Sequence, residues 1–132
     1  MWKEVMICVV IVTAIIIGNS ITQDYTKKTV KKICTDLSNL KKELDKSNEN
    51  EDVSQNATIS VNIIKEDWER SHDRLAYYIE HNELEKVEDN FTSMQSFMEN
   101  KKYVDAINQL DKSIFILNHI QEKYAINLEN VF

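Results

Sequence analysis

Glu69 and His72 make a single Glu-x-x-His step, the spacing by which helical bundles bring a carboxylate and an imidazole from adjacent turns toward a di-metal site. Such a site also needs a second Glu-x-x-His and further carboxylates on facing stripes. His119 does not supply it, because Ile116 stands three positions before it. His72 and His81 are nine residues apart, half a rotation out of phase on one helix, and cannot share a ligand there. His81 and His119, both near helix ends, could approach each other but read as surface histidines. Cys8 and Cys34 would stand about 39 Å apart along a continuous helix, too far to pair within one chain. Both read as small apolar fillers, with a Cys34 link between two parallel copies as the sharper alternative. Neither a metal-binding cysteine spacing nor a phosphate loop nor a nucleophile-base pattern occurs. The expectation is a non-enzyme that needs no metal and no cofactor.

The segments that must carry these residues are helical. The 132 residues include one Gly and no Pro, so the chain is poor in the residues that make hairpins and sharp loops, and an all-α fold follows. Four stripes repeat at three- and four-residue steps. The first holds Val30, Ile33, Leu37, Leu40 and Leu44, and ends at the polar stretch Lys46 to Asp52. The second holds Ala57, Val61, Ile64, Trp68, Leu75 and Tyr78, with Ser71 where another apolar residue would fit. Asn82 and Glu85 suggest a capping box for the third, whose stripe is Leu84, Val87, Phe91, Met94 and Met98. The fourth is assigned Tyr103, Ile107, Leu110, Ile114 and Leu117, fraying near Glu122 to Tyr124. The expected helices span about 22–46, 54–81, 83–99 and 102–123, before a tail whose apolar residues either cap the core, the favoured reading, or touch lipid. Short connections make neighbours antiparallel, an up-down-up-down bundle.

Ahead of the bundle, Val5 to Ile17 form an apolar run of thirteen residues. The run stretches toward the roughly 20 needed to span a bilayer if Gly18 to Ser20 sit at the interface, with Trp2 as an interfacial aromatic. Residues 1–21 therefore read as a single-pass membrane anchor and 22–132 as the bundle. A secretory signal cut after Ser20 is the competing reading; the weakly basic start Met-Trp-Lys-Glu and the helical pattern that follows favour retention. Lys27, Lys28, Lys31 and Lys32 outnumber Lys3 and favour a cytoplasmic bundle by positive-inside counting. The short amino tail ahead of an early apolar run has instead the form of an exported, signal-anchored protein. The expectation carried forward is a cell-membrane protein with an extracytoplasmic bundle. On that topology the turn at His81-Asn82 faces the membrane and the 46–56 loop lies far from it.

Residues 21–48 carry net charge +3 and residues 49–132 carry −9. Helix 1 should attract the others, and its four clustered lysines are candidates for lipid-headgroup contact. Nucleic acid is excluded as a partner, because the folded part is acidic. Trp68 reads as a core anchor whose indole N–H needs a polar partner, with Ser71 and His72 at hand. Trp68, His72, Phe115 and Ile116 are the candidate interaction residues. Ile59, Ile63, Tyr77, Phe115 and Ile116 exceed what one seam consumes. Either helix 4 is surrounded on several sides, or the surplus forms a patch for another protein.

The anchor, the lysine-rich first helix, the stretch Trp68-Glu-Arg-Ser-His-Asp-Arg-Leu-Ala-Tyr-Tyr-Ile-Glu-His81, Leu117-Asn-His-Ile120 and the ending Asn130-Val-Phe132 resemble the domain of unknown function 4363 family. The resemblance implies a small, single-anchor helical envelope protein of bacteria, with no catalytic residues to carry over. Members usually begin with a more basic tail than Met-Trp-Lys-Glu. The functional expectation is a membrane-anchored interaction or accessory module, partnered by an integral membrane protein or by a second copy. The alternative is an envelope sensor or small-ligand-binding bundle.

Overall fold

The computed structural model describes the backbone of residues 1–47 and 51–129, and the side chains of residues 1–46 and 55–123. Four helices, α1 (Trp2–Ser47), α2 (Glu51–Leu75), α3 (His81–Glu99) and α4 (Tyr103–Glu129), account for almost all of it, and no strand occurs among the described residues. Helix α1 runs unbroken for 46 residues, about 69 Å. Its second half packs on α2 and α4, and α3 closes the square by packing on α2 and α4. Sequential neighbours touch and diagonal pairs do not, which is the expected up-down-up-down bundle.

The core is a set of seams with one spacing. Val30, Ile33, Leu37, Leu40 and Leu44 are buried on α1; Ala57, Val61, Ile64, Trp68 and Leu75 on α2; Leu84, Val87, Phe91, Met94 and Met98 on α3. Alternating steps of three and four average 3.5 residues, which keeps each seam facing its partners only if the helices supercoil left-handedly. Three hydroxyls share the interior. Thr26, Ser71 and Ser113 each donate to the carbonyl four residues back, Thr22, Asp67 and Gln109, so none is left unsatisfied inside the core.

Four expectations are corrected. Helix α2 ends at Leu75, not near His81; Ala76 to Ile79 turn the chain, with the Tyr78 and Ile79 amides both donating to the Leu75 carbonyl. The reversal must be complete before Leu84, which is fully buried on the α3 seam. Glu80 rather than Asn82 stands at the N-cap of α3, and no side chain caps it. The α4 seam is Ala106, Leu110, Ser113, Leu117 and Ile120, one residue off the expected stripe at alternate positions. Tyr103, Ile107 and Ile114 are half-buried on its flank. Small residues at 106 and 113 let α4 approach its neighbours while the bulky ones fill the edges. Helix α4 also continues through 122–124 to Glu129 instead of fraying there. The reading of the tail side chains, and of the 48–50 connection, falls outside the described residues.

The α3 to α4 connection is tight. Lys101 has a φ of 57°; its amide donates to the Met98 carbonyl and that of Lys102 to the Phe97 carbonyl. This pairing satisfies the last carbonyls of α3 in the Schellman manner.

Candidate functional site

The groups that chemistry would need do not converge. Glu69 is exposed, whereas His72 turns toward Glu88 of α3, its Nε2 3.3 Å from Oε1, and lies 3.5 Å from Asp73. His81 faces Glu85 at 2.9 Å, and His119 is exposed. No three His, Cys, Asp or Glu side chains gather into a metal-sized cluster among the described residues. Cys34 is half-buried between α1 and α4, its Sγ 3.8 Å from Asn118 Oδ1. Burial pushes its thiol up to about 11. That position is poorly suited to a link between two copies.

Of the candidate interaction residues, Trp68 is fully buried, its ring edge-on to Phe91 with centroids 5.7 Å apart, and offers no surface to a partner. Its indole Nε1 has no hydrogen-bond partner. Ser71 and His72, expected to serve it, are committed to Asp67 and to the flanking carboxylates. Ile116 packs against the core, and Phe115 projects from it, 73% exposed. Helix α4 is therefore not surrounded. Phe115 overlooks a shallow trough between α3 and α4 edged by Lys86, Asp89, Asp111 and Lys112. Ile59 and Ile63 are likewise exposed on α2.

Helix 1 does attract its neighbours. Lys32 binds Asp67 of α2 and Lys41 binds Asp111 of α4, both at 2.7 Å. Hydrogen bonding to those carboxylates raises both ammonium groups above their usual range. Lys32 is thus withdrawn from the set available to lipid headgroups. Lys27, Lys28 and Lys31 are exposed and make no ion pair among the described residues.

The most structured surface is the end of the bundle nearest the apolar run. Tyr78, in the α2–α3 turn, donates its hydroxyl to the Asn19 carbonyl at 3.1 Å and contacts the Asn19 side-chain oxygen. Arg74 stacks 5.1 Å over the Tyr25 ring. Hydrogen bonding to Ser71, followed by Thr29 and Arg74, holds the Tyr25 phenol below its usual range against the opposing effect of burial. Lys123 of α4 bridges Glu80 and Glu83 at 3.1 and 3.2 Å. Between α1, α4 and the turn lies a groove of about 510 Å³, with Val30 and Ile120 among its apolar residues and Thr26, Lys27, Tyr78 and Glu122 among its polar ones.

The domain of unknown function 4363 matches residues 21–131, the bundle from the last residue of its apolar lead. The chain belongs to that family. No curated protein and no solved structure matches it. The family match begins where the apolar run ends, so what it covers is the bundle.

Proposed function

We propose that the chain is a single-pass, membrane-anchored and non-enzymatic interaction module, an accessory subunit of an integral membrane protein. The observation that carries this is the state of the apolar lead: it is one helix long and apolar enough to cross a membrane, and none of its spanning window is buried. A core helix of a soluble protein would be covered. Leaving Val5 to Ile17 in water forfeits on the order of 10–20 kcal/mol of apolar burial; a bilayer restores it. The hydroxyl of Thr13 donates to the Val9 carbonyl at 2.7 Å, the internal satisfaction that a lipid environment demands. Cleavage after Ser20 would cut α1 mid-helix and separate Asn19 from Tyr78, which favours retention.

The partner surface is drawn from exposed apolar residues that no seam consumes: Phe115 on α4, with Ile59 and Ile63 on α2. Lys27, Lys28 and Lys31 supply headgroup contact, each worth about 1 kcal/mol close to an anionic surface. Helix geometry supports this, because side chains lean toward the N-terminus of their helix, here the membrane. Chemical crosslinking followed by detergent-solubilised pull-down at native expression recovers a stoichiometric membrane-protein partner or self-complex, and Phe115→Asp or Ile63→Asp weakens it. A strictly monomeric, partnerless product refutes the reading. The bundle is assigned to the extracytoplasmic side; a cysteine introduced as Asn108→Cys, in a chain lacking Cys8 and Cys34, reacts with an impermeant reagent in intact cells if that is right.

The groove beside Thr26 and Tyr78 favours a second reading, an envelope sensor that holds a small amphipathic ligand at the membrane-facing end. A thermal-shift screen that finds no stabilising compound argues against it.

A further inference from the structure

The connection between α2 and α3 differs in kind from the connection at the opposite end of the bundle. Between the helices it reads Ala-Tyr-Tyr-Ile before its one charge at Glu80, whereas the α3–α4 connection reads Asn100-Lys-Lys102. Ile79 is buried and Tyr78 half-buried, but Tyr77 is 83% exposed. Tyr77 and Tyr78 form one wall of a trough whose other wall is Ile15, Gly18, Asn19 and Thr22 of α1. No atom lies within 4 Å of where a Cβ on Gly18 would stand, so the trough is open.

The level of this trough follows from the length of the helix. A span of roughly 30 Å needs about 20 residues, and counted from Trp2 those residues end at Ile21. Ile15 is then about 9 Å inside that end along the axis. A turn that packs beside Ile15 to Thr22 cannot stand clear of the bilayer. It is at the headgroup layer, where a tyrosine keeps its ring among glycerol and upper acyl carbons and its hydroxyl among phosphates. Two of the polar residues at this level have internal partners. Thr22 donates to the Gly18 carbonyl at 2.9 Å, and Asn19 accepts from Tyr78, which lowers the cost of taking them out of water.

The geometry points to a second, non-spanning membrane contact: the α2–α3 turn seats in the phospholipid headgroup layer through Tyr77, with Tyr78 locking the turn to α1 at Asn19. This rests on the single-pass anchor proposed above and adds what that anchor alone would not provide, a fixed tilt and rotation of the bundle on the membrane. A spanning helix alone, even one continuous with the bundle, leaves its tilt and its rotation about its own axis open; a second contact away from that axis fixes them.

Depth-dependent fluorescence quenching in the full chain tests it. Tyr77→Trp, Val10→Trp and Val104→Trp are each made with Trp2→Phe, leaving buried Trp68 as a common background, and reconstituted into phosphatidylcholine–phosphatidylglycerol vesicles carrying nitroxide lipids. The indole at position 77 should lose about half or more of its emission to a nitroxide near the headgroup, as an interfacial aromatic does. The indole at position 10 should be quenched most by a nitroxide deep in the acyl chains, and the one at position 104, on the far end of the bundle, by neither. Quenching at position 10 without quenching at position 77 overturns the seated turn and leaves the anchor standing. Quenching at neither, with protein absent from the vesicle fraction, overturns both. Far-UV circular dichroism of each variant confirms that the bundle is folded.

Discussion

Burial keeps the Cys34 thiol neutral, and this has a consequence for reactivity as well as for stability. Raised from 9.0 to about 11, the thiol presents about a hundredfold less thiolate at neutral pH than an unperturbed cysteine; the greater nucleophilicity of a more basic thiolate offsets part of this, and alkylation of the folded chain should be slower by about tenfold or more. Timed iodoacetamide labelling, with Asn108→Cys as the exposed comparison, measures it. Because the folded-state value lies above the unfolded one, the stabilisation is present below about pH 9 and is lost as pH rises toward 11. Cys34→Ala should flatten that alkaline decline in unfolding midpoint. Trp68 poses the opposite problem, an interior donor with no acceptor. Trp68→Ala should destabilise by about 3–5 kcal/mol through lost burial and a cavity. Trp68→Phe, which deletes the orphaned N–H along with part of the ring, should cost less than about 2 kcal/mol. Urea unfolding of the detergent-solubilised chain separates the two.

Each helix end and seam has its own logic, and here the limits of sequence reading are clearest. The seam of α3 was legible in full, that of α1 from Val30 to Leu44 and that of α2 as far as Leu75, because large apolar residues occupy nearly every position at three-and-four spacing; buried Thr26, a hydroxyl at the head of the α1 seam, was not. The α4 seam was not, because two of its positions are Ala106 and Ser113, and bulky Ile107 and Ile114 beside them draw the eye to a stripe that packs only at the edge. The end of α2 was hidden for a different reason: no Gly, Pro or capping side chain marks Leu75, and the reversal is imposed by where Ile79 and Leu84 must be buried. Lys101 is similar. A left-handed conformation at a lysine has no local sequence signal, and it costs about 1–2 kcal/mol that glycine would not incur. Lys101→Gly should therefore stabilise the chain by about 1 kcal/mol and Lys101→Val should destabilise it, both read as shifts in the thermal midpoint. The candidate functional residues fared unevenly for the same physical cause. Trp68 was consumed by the core and Lys32 by Asp67, whereas the turn at Tyr77 and Tyr78, whose role depends on what α1 places beside it, had no signature of its own.

The molecule keeps its apolar residues in two separate sets, a buried bundle core and an exposed lead helix. Among the described residues every buried apolar residue lies at or beyond Val30, and residues 1–21 contribute none, so the bundle does not depend on the lead helix for its interior. Among the described residues, the hydrogen bonds that tie the first twenty residues to the rest of the bundle run from Tyr78 to Asn19, and a neutral pair of that kind is worth about 1 kcal/mol net. Removing residues 2–20 should thus leave a chain that folds, with the unfolding free energy lowered by no more than about 1–2 kcal/mol. It should pass from the membrane fraction to the soluble one, carrying its helical circular dichroism with it. A shortened chain that is unfolded would mean that the lead helix belongs to the core, and a shortened chain that is folded yet still sediments with membranes would mean that the bundle, through the turn and the lysines, holds lipid unaided. The expected result requires the two parts to be energetically separate, which is what the exposure of α1 up to Ile21 and the burial that begins with Thr26 imply.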